Sequence, residues 1–292
     1  MKKYGYIPAM TAILIATIFG SVFSQEMIEI RADRMIDVVS GKVWNDAVIV
    51  VEGDRIVSAG RQSVPRGAEV IDLGDMTLLP GFIDMHTHIT SELSGNWVMR
   101  PVTETAAGAA LKGVQFAKRT VMAGFTTIRN VGSSDFVDVS LMHAVENGTI
   151  IGPWIIPAGH SLGVTGGHCD ITGFKPGLLD QGIEAGIAGV LSFEGPVGAQ
   201  QYSEEEMLAI VEEADRHGIK VAAHAHGTEG IIAASRAGIA SIEHGSMLTD
   251  EAIRVMKENG TYLVPTTYLV DVLDLGALPG LLSGLKRNTF FL

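Results

Sequence analysis

The sequence predicts an α/β protein of the TIM-like (β/α) barrel class, incomplete toward its C-terminus and carrying a small N-terminal β-sandwich module. Three observations carry that expectation. Short runs of alternating apolar and polar residues, broken by turn signals, extend from Met27 to Leu79. After Pro80-Gly81 the pattern changes to strand and helix in alternation. Histidines then recur where the later strands end. A chain of 292 residues, 47% hydrophobic and 18% charged, is long enough for one large domain or two modest ones and too apolar to stay disordered. Its 35 glycines against 10 prolines sit at the ends of periodic segments, as a fold with many short connections requires.

The first residues are basic (Lys2, Lys3), and Ile7 to Phe23 form an uncharged, largely apolar run, with compact residues at Val22 to Ser24. This reads as a secretory signal peptide, residues 1–24, cut after Ser24, and hence an exported protein, periplasmic or secreted. The competing reading is an N-terminal membrane anchor, since the run is near the lower length limit for spanning a bilayer. No cysteine follows the run to take a lipid, so no stable membrane anchor is expected after cleavage.

The formal charge is −12, and removing Lys2 and Lys3 with the signal leaves 19 basic residues against 33 acidic, or −14. So acidic a chain excludes nucleic acid as a partner. The single Cys169 cannot form an internal disulfide and reads as a small apolar residue.

Within 25–80, the runs IEIRADRMIDVV, AVIVVEGDRIVSAG and AEVIDLG are strands, separated by Ser40-Gly41, Gly53-Asp54 and Gly60. About fifty residues of such strands cannot bury both faces of a sheet alone. Within 81–292, Thr103 to Ala123 is a helix stopped by Gly124, FTTIRNVG a strand, Phe136 to Glu146 a helix and TIIGPWIIPAG a strand. Ser203, with Glu206 three residues on, is a capping box opening a helix whose apolar face is Met207, Ile210, Val211 and Ala214. Then follow the strand IKVAAHAHG, a short helix from Gly230 to Ala237, and the strand IASIEHG. A helix capped by Thr249 and stopped by Gly260 leads to the strand TYLVPTTY.

His86 and His88 close GFIDMHTHI, His224 and His226 close VAAHAHG, and His244 closes SIEHG. In a parallel barrel these strand ends share one face, and residues two apart on a strand point to the same side, so His86 and His88 can grip one ion with Thr87 facing away. Any one of them alone reads as a buried histidine satisfied by a carbonyl; five of nine at like strand ends read as a metal site. His143, on a helix, and His217, before Gly218, read as surface or helix-end residues. His160 and His168 lie in the glycine-rich PAGHSLGVTGGHCD, a loop over the site.

These residues resemble a known family. LLPGFIDMHTHI after a short β module, then AGFTTIRNVG, TGGH, KVAAHAHG and SIEHG, are similar to the amidohydrolase superfamily, in its imidazolonepropionase-like and Xaa-Pro dipeptidase-like branch, over roughly Ile28 to Tyr268. The resemblance implies zinc, one or two ions. His86 and His88 match ligands of the more buried metal, His224 and His244 those of the second, and His168, His226 and Tyr268 match positions bordering the substrate. It also implies hydrolysis of carbon–nitrogen bonds in small amides, dipeptides or cyclic amides, by a metal-activated hydroxide and an aspartate proton shuttle.

The sequence departs from the family pattern twice. No lysine stands where the family has a carboxylated, metal-bridging one. Between His168 and Ser203 the chain reads as though a piece were missing between about Gly182 and Gly189; Lys175 lies in a Pro/Gly turn, and Glu194 is the replacement carboxylate it offers. No aspartate on an eighth strand follows Tyr268, since Asp271 and Asp274 come too soon, so no catalytic aspartate is assigned. The alternative readings are a non-catalytic truncated remnant of such an enzyme and a mononuclear deaminase. A homo-oligomer is left open.

Overall fold

A computed structural model describes residues 27–61, 67–92, 99–164 and 199–267. The expected signal segment lies outside the described residues, as do His168, Cys169, Lys175, Glu194 and Tyr268. The chain divides into two compact units, Met1–Pro80 and Gly81–Leu292.

In the first unit, β1 (Met27–Asp37) and β2 (Lys42–Glu52) are long alternating strands, and β3 (Arg55–Gly60), β4 (Glu69–Asp72) and β5 (Thr77–Leu78) are shorter. The strand order is β3-β2-β1-β4, with β5 also on β1. β2 runs antiparallel to β1 along its whole length, and β4 and β5 run parallel to it in succession on the other side. The Asp37 carboxylate accepts from the Val39 amide at 3.0 Å and forms the first turn. The expected sandwich is therefore a single five-stranded sheet among the described residues. The reason lies in β1, whose eleven residues accept partners along both edges and so gather the shorter strands into one layer. Ala32, Met35, Ala47 and Val50 are buried, whereas Val43, Ile56 and Val57 are exposed.

The second unit alternates strand and helix: β6 (Phe82–Thr87), α1 (Arg100–Thr103), α2 (Ala106–Met122), β7 (Phe125–Asn130), α3 (Val137–Glu146) and β8 (Trp154–Pro157). Further along the chain come α4 (Glu204–Arg216), β9 (Ala222–Ala225), α5 (Thr228–Arg236), β10 (Ser241–His244), α6 (Asp250–Asn259) and β11 (Tyr262–Val264). All pairings are parallel, in two three-stranded sheets, β6-β7-β8 and β9-β10-β11. The described strands do not close a barrel.

Helix ends follow the chemistry of their capping residues. Thr105 accepts from the Gly108 amide at 3.1 Å, so α2 starts three residues after the expected Thr103. Ser203 and Glu206 form the reciprocal capping box of α4, with the Glu206 amide donating to Ser203 Oγ at 3.2 Å and the Ser203 amide to Glu206 Oε2 at 2.8 Å. Thr249 caps α6, and Gly260 ends it in the left-handed region at φ +69°, which a side chain would resist. One core packs Met207, Ile231, Ile239, Ile242 and Met256 under β9 and β10; another packs Ile128, Val137, Leu141 and Ile155 under β7 and β8. No helix among the described residues is long and apolar enough to cross a membrane.

Candidate metal centre

Strands of the two parallel sheets deliver the histidines near their C-terminal ends. His86 is the penultimate residue of β6, His224 lies on β9, and His244 closes β10. The ring centroids of His86 and His224 are 5.0 Å apart, of His86 and His244 4.6 Å, and of His224 and His244 5.2 Å. One ring nitrogen from each of the three falls within 4.8 Å of the others. His224 Nδ1 and His244 Nε2 face each other at 3.0 Å, and His244 Nδ1 meets Thr266 Oγ1 at 2.7 Å. His244 holds φ +73°, a left-handed conformation that costs a non-glycine residue on the order of 1–3 kcal/mol and is retained where the surroundings impose it.

His88 lies one residue past β6, with its ring 5.4 Å from that of His86 and 5.8 Å from that of His224, outside the group of three donors. Its Nδ1 donates to the Gly132 carbonyl at 3.2 Å, which leaves Nε2 as the ring's ligand atom. Gly132 has φ +148°, and a Cβ there would stand 2.1 Å from Ser161 Oγ, so only glycine lets this carbonyl approach. His226 follows β9 and stacks on His244 at 4.5 Å, with its Nδ1 2.9 Å from Ser246 Oγ. His160 packs edge-on against Phe136 at 4.5 Å. His143 and His217 are exposed and paired with Glu146 and Glu213.

Two polar pairs that sequence reasoning passed over organise this region, Glu243 with Arg129 and Asn130 with Asp138. Glu243, on β10, is fully buried. Its Oε1 accepts from Arg129 Nη2 at 2.5 Å and from Ser241 Oγ at 2.7 Å, and its Oε2 meets His86 Nδ1 at 2.9 Å. Burial pushes this carboxyl upward, but the hydrogen bonds of His86 and Ser241 and the charge of Arg129 outweigh it and hold it below the usual carboxylate range. Arg129, on β7, also donates to the Met85 carbonyl at 2.7 Å and to Ser241 Oγ at 3.0 Å, so one guanidinium joins the two sheets. Deeper, Asn130 accepts from the Ile89 amide at 2.7 Å and donates to Gly132 O and to buried Asp138, which also receives the Gly159 amide at 3.0 Å. A signal for the first pair was present: opposite charges inside the apolar strands TTIRN and SIEH need each other once buried.

The donor set fits a zinc ion. A catalytic zinc takes three protein ligands at about 2.0–2.1 Å, roughly 3.3 Å from one another, and keeps a fourth position open. The 3.0 Å spacing of His224 and His244 is close to that, all three donors lie within 4.8 Å of one another, and histidine nitrogen is a ligand zinc accepts.

The profile of the amidohydrolase family matches residues 77–278. The chain belongs to the amidohydrolase family. Ochratoxinase of Aspergillus niger is 28% identical over 238 residues, which take in 67% of this chain and 48% of that protein, so the chain spans about half the length of this relative. Among solved structures, a Xaa-Pro dipeptidase with methionine bound in its active site superposes with a TM-score of 0.78 at 33% identity, over 91% of this chain and 71% of that one. A prolidase complexed with N-methylphosphonate-L-proline superposes with a TM-score of 0.77 at 27% identity, over 90% and 74%. These amidohydrolase neighbours imply a TIM-barrel-like α/β fold.

Proposed function

We propose that this amidohydrolase is a zinc-dependent hydrolase of carbon–nitrogen bonds, with dipeptides or cyclic amides as its substrate class and Xaa-Pro dipeptides foremost. The observation that supports the reading best is the grouping of one nitrogen each from His86, His224 and His244 near the C-terminal ends of strands from the two parallel sheets, the strand ends at which such folds place their chemistry. His88 lies beside that group, with its Nδ1 committed to Gly132 O.

Bound there, zinc would supply a water acidified toward neutrality and a polarised scissile carbonyl. The chain's own residues hold the geometry. The Gly132 carbonyl accepts from His88 Nδ1, Glu243 Oε2 stands 2.9 Å from His86 Nδ1, and Thr266 Oγ1 meets His244 Nδ1. His226, with its Nδ1 2.9 Å from Ser246 Oγ, keeps with His168 and Tyr268 the substrate-bordering role that the family resemblance gives them.

Because the described donors gather at one point, one zinc per chain is expected. The test is to strip the protein, add back zinc, and measure bound metal alongside hydrolysis of a Xaa-Pro dipeptide panel. Zinc-dependent proline release supports the proposal; one bound zinc with no cleavage of any dipeptide or cyclic amide sinks it. The single centre also favours a second reading, hydrolytic deamination, which ammonia release from aminopurines in the same samples would reveal.

We also infer export, with residues 1–24 as a cleaved signal, from Lys2 and Lys3 ahead of the apolar run Ile7 to Phe23. Protein collected outside the cytoplasm should begin at Gln25. A cytoplasmic product that keeps Lys2 would end that inference.

A further inference from the structure

The Arg129–Glu243 pair could be no more than a tie between the two sheets, and its geometry argues otherwise. An arginine and a carboxylate placed only to hold two strands together do best as a two-pronged fork using both oxygens. Here Arg129 and Ser241 both take Oε1, while Oε2 is given to His86 Nδ1 at 2.9 Å. Burying this charge completely costs the fold more than an apolar contact in the same place would, so the pair is poorly explained by stability alone.

What the arrangement does is chemical. A carboxylate cannot donate, so the His86 proton must sit on Nδ1, and the lone pair is left on Nε2. Arg129 and Ser241 hold Oε1, so the second oxygen is aimed at the ring; the Met85 carbonyl in turn anchors Arg129 beside His86.

We propose that Glu243, anchored by Arg129 and Ser241, is a positioning residue that locks His86 in its Nδ1–H tautomer and so presents Nε2 to the metal. The proposal rests on the zinc reading above, and it adds a residue that reaches the ion only through His86. A carboxylate in this place also raises the basicity of the ligand and offsets part of the cation's charge.

The test uses the full chain with 15N-labelled histidine, with the His86 signals assigned by His86→Asn. In the metal-free protein the imidazole 15N shifts should show His86 protonated at Nδ1; an Nε2–H ring overturns the proposal whatever the variants do. In Glu243→Gln the preference should be lost, and cobalt(II), used as the spectroscopic probe, should bind 10- to 100-fold more weakly with a changed visible absorption band. A tie with only a structural role would instead lower the urea midpoint and leave tautomer, band and cobalt affinity of the folded fraction as they were, which also overturns the proposal. If the unsubstituted protein shows Nδ1–H at His86 but binds no cobalt, the metal reading fails and the assignment to metal positioning falls with it. Should Glu243→Gln not fold, Ser241→Ala carries the same readouts, with a mixed tautomer expected and an unaltered one counting against the proposal.

Discussion

Replacing His224 with alanine is expected to cut zinc affinity by more than roughly a hundredfold and to bring carbon–nitrogen bond hydrolysis down to that of the metal-free protein. The factor is set by comparison: loss of a residue that merely orients a ligand costs 10- to 100-fold in metal affinity, and loss of a ligand costs more. His224, one of the three donors, is 7% exposed, and its Nδ1 stands 3.0 Å from His244 Nε2. Alanine there removes one donor of three and opens the point of convergence to water. His143→Ala is the matched control, since that ring is exposed on α3 and pairs with Glu146. Zinc content should be read by elemental analysis on folded protein together with the assay. A His224→Ala protein that holds zinc as tightly as its parent would mean that the three-histidine group is not the metal site.

The second large effect is on stability. Asp138→Ala is expected to destabilise the second unit by roughly 3–5 kcal/mol, because buried donors left without a partner cost about 1–3 kcal/mol each. Asp138 has no exposed surface and accepts from Asn130 Nδ2 at 3.0 Å, from the Gly159 amide at 3.0 Å and from the Val139 amide at 2.9 Å. Through Asn130 it braces the Ile89 amide and Gly132 O, the turn on which His88 leans. Asp138→Asn keeps the volume and one acceptor and should cost less than half as much. Urea midpoints of the three proteins decide the matter; an alanine variant within about 1 kcal/mol of the parent would show that water replaces the carboxylate without loss.

Much of the local structure was legible because its causes are local. A serine three residues before a glutamate closes a capping box with its own backbone wherever the helix sits, and Ser203 with Glu206 does so. Thr249 and Gly260 bound α6 for the same reason, and the change of period after Pro80 separates sheet hairpins from strand–helix units. The N-terminal strands were legible as strands but not as one layer. Alternation says which residues share a face and is silent on how many partners each edge takes, and the long β1 settled that by pairing on both sides.

The sequence by itself determined which residue types could carry the chemistry: histidines at like ends of parallel strands, in a pattern similar to one family. Only the tertiary structure decided how they group. The family resemblance pairs His86 with His88 and His224 with His244; the folded strands hold His224 and His244 3.0 Å apart, bring His86 to them and seat His88 beside them on the Gly132 carbonyl. Contacts such as His86 with Glu243 and Arg129 with Glu243 span 157 and 114 positions of sequence. Separations of that size leave no periodicity to read. They exist because packing two parallel sheets buries opposite charges that are stable there only when each finds the other.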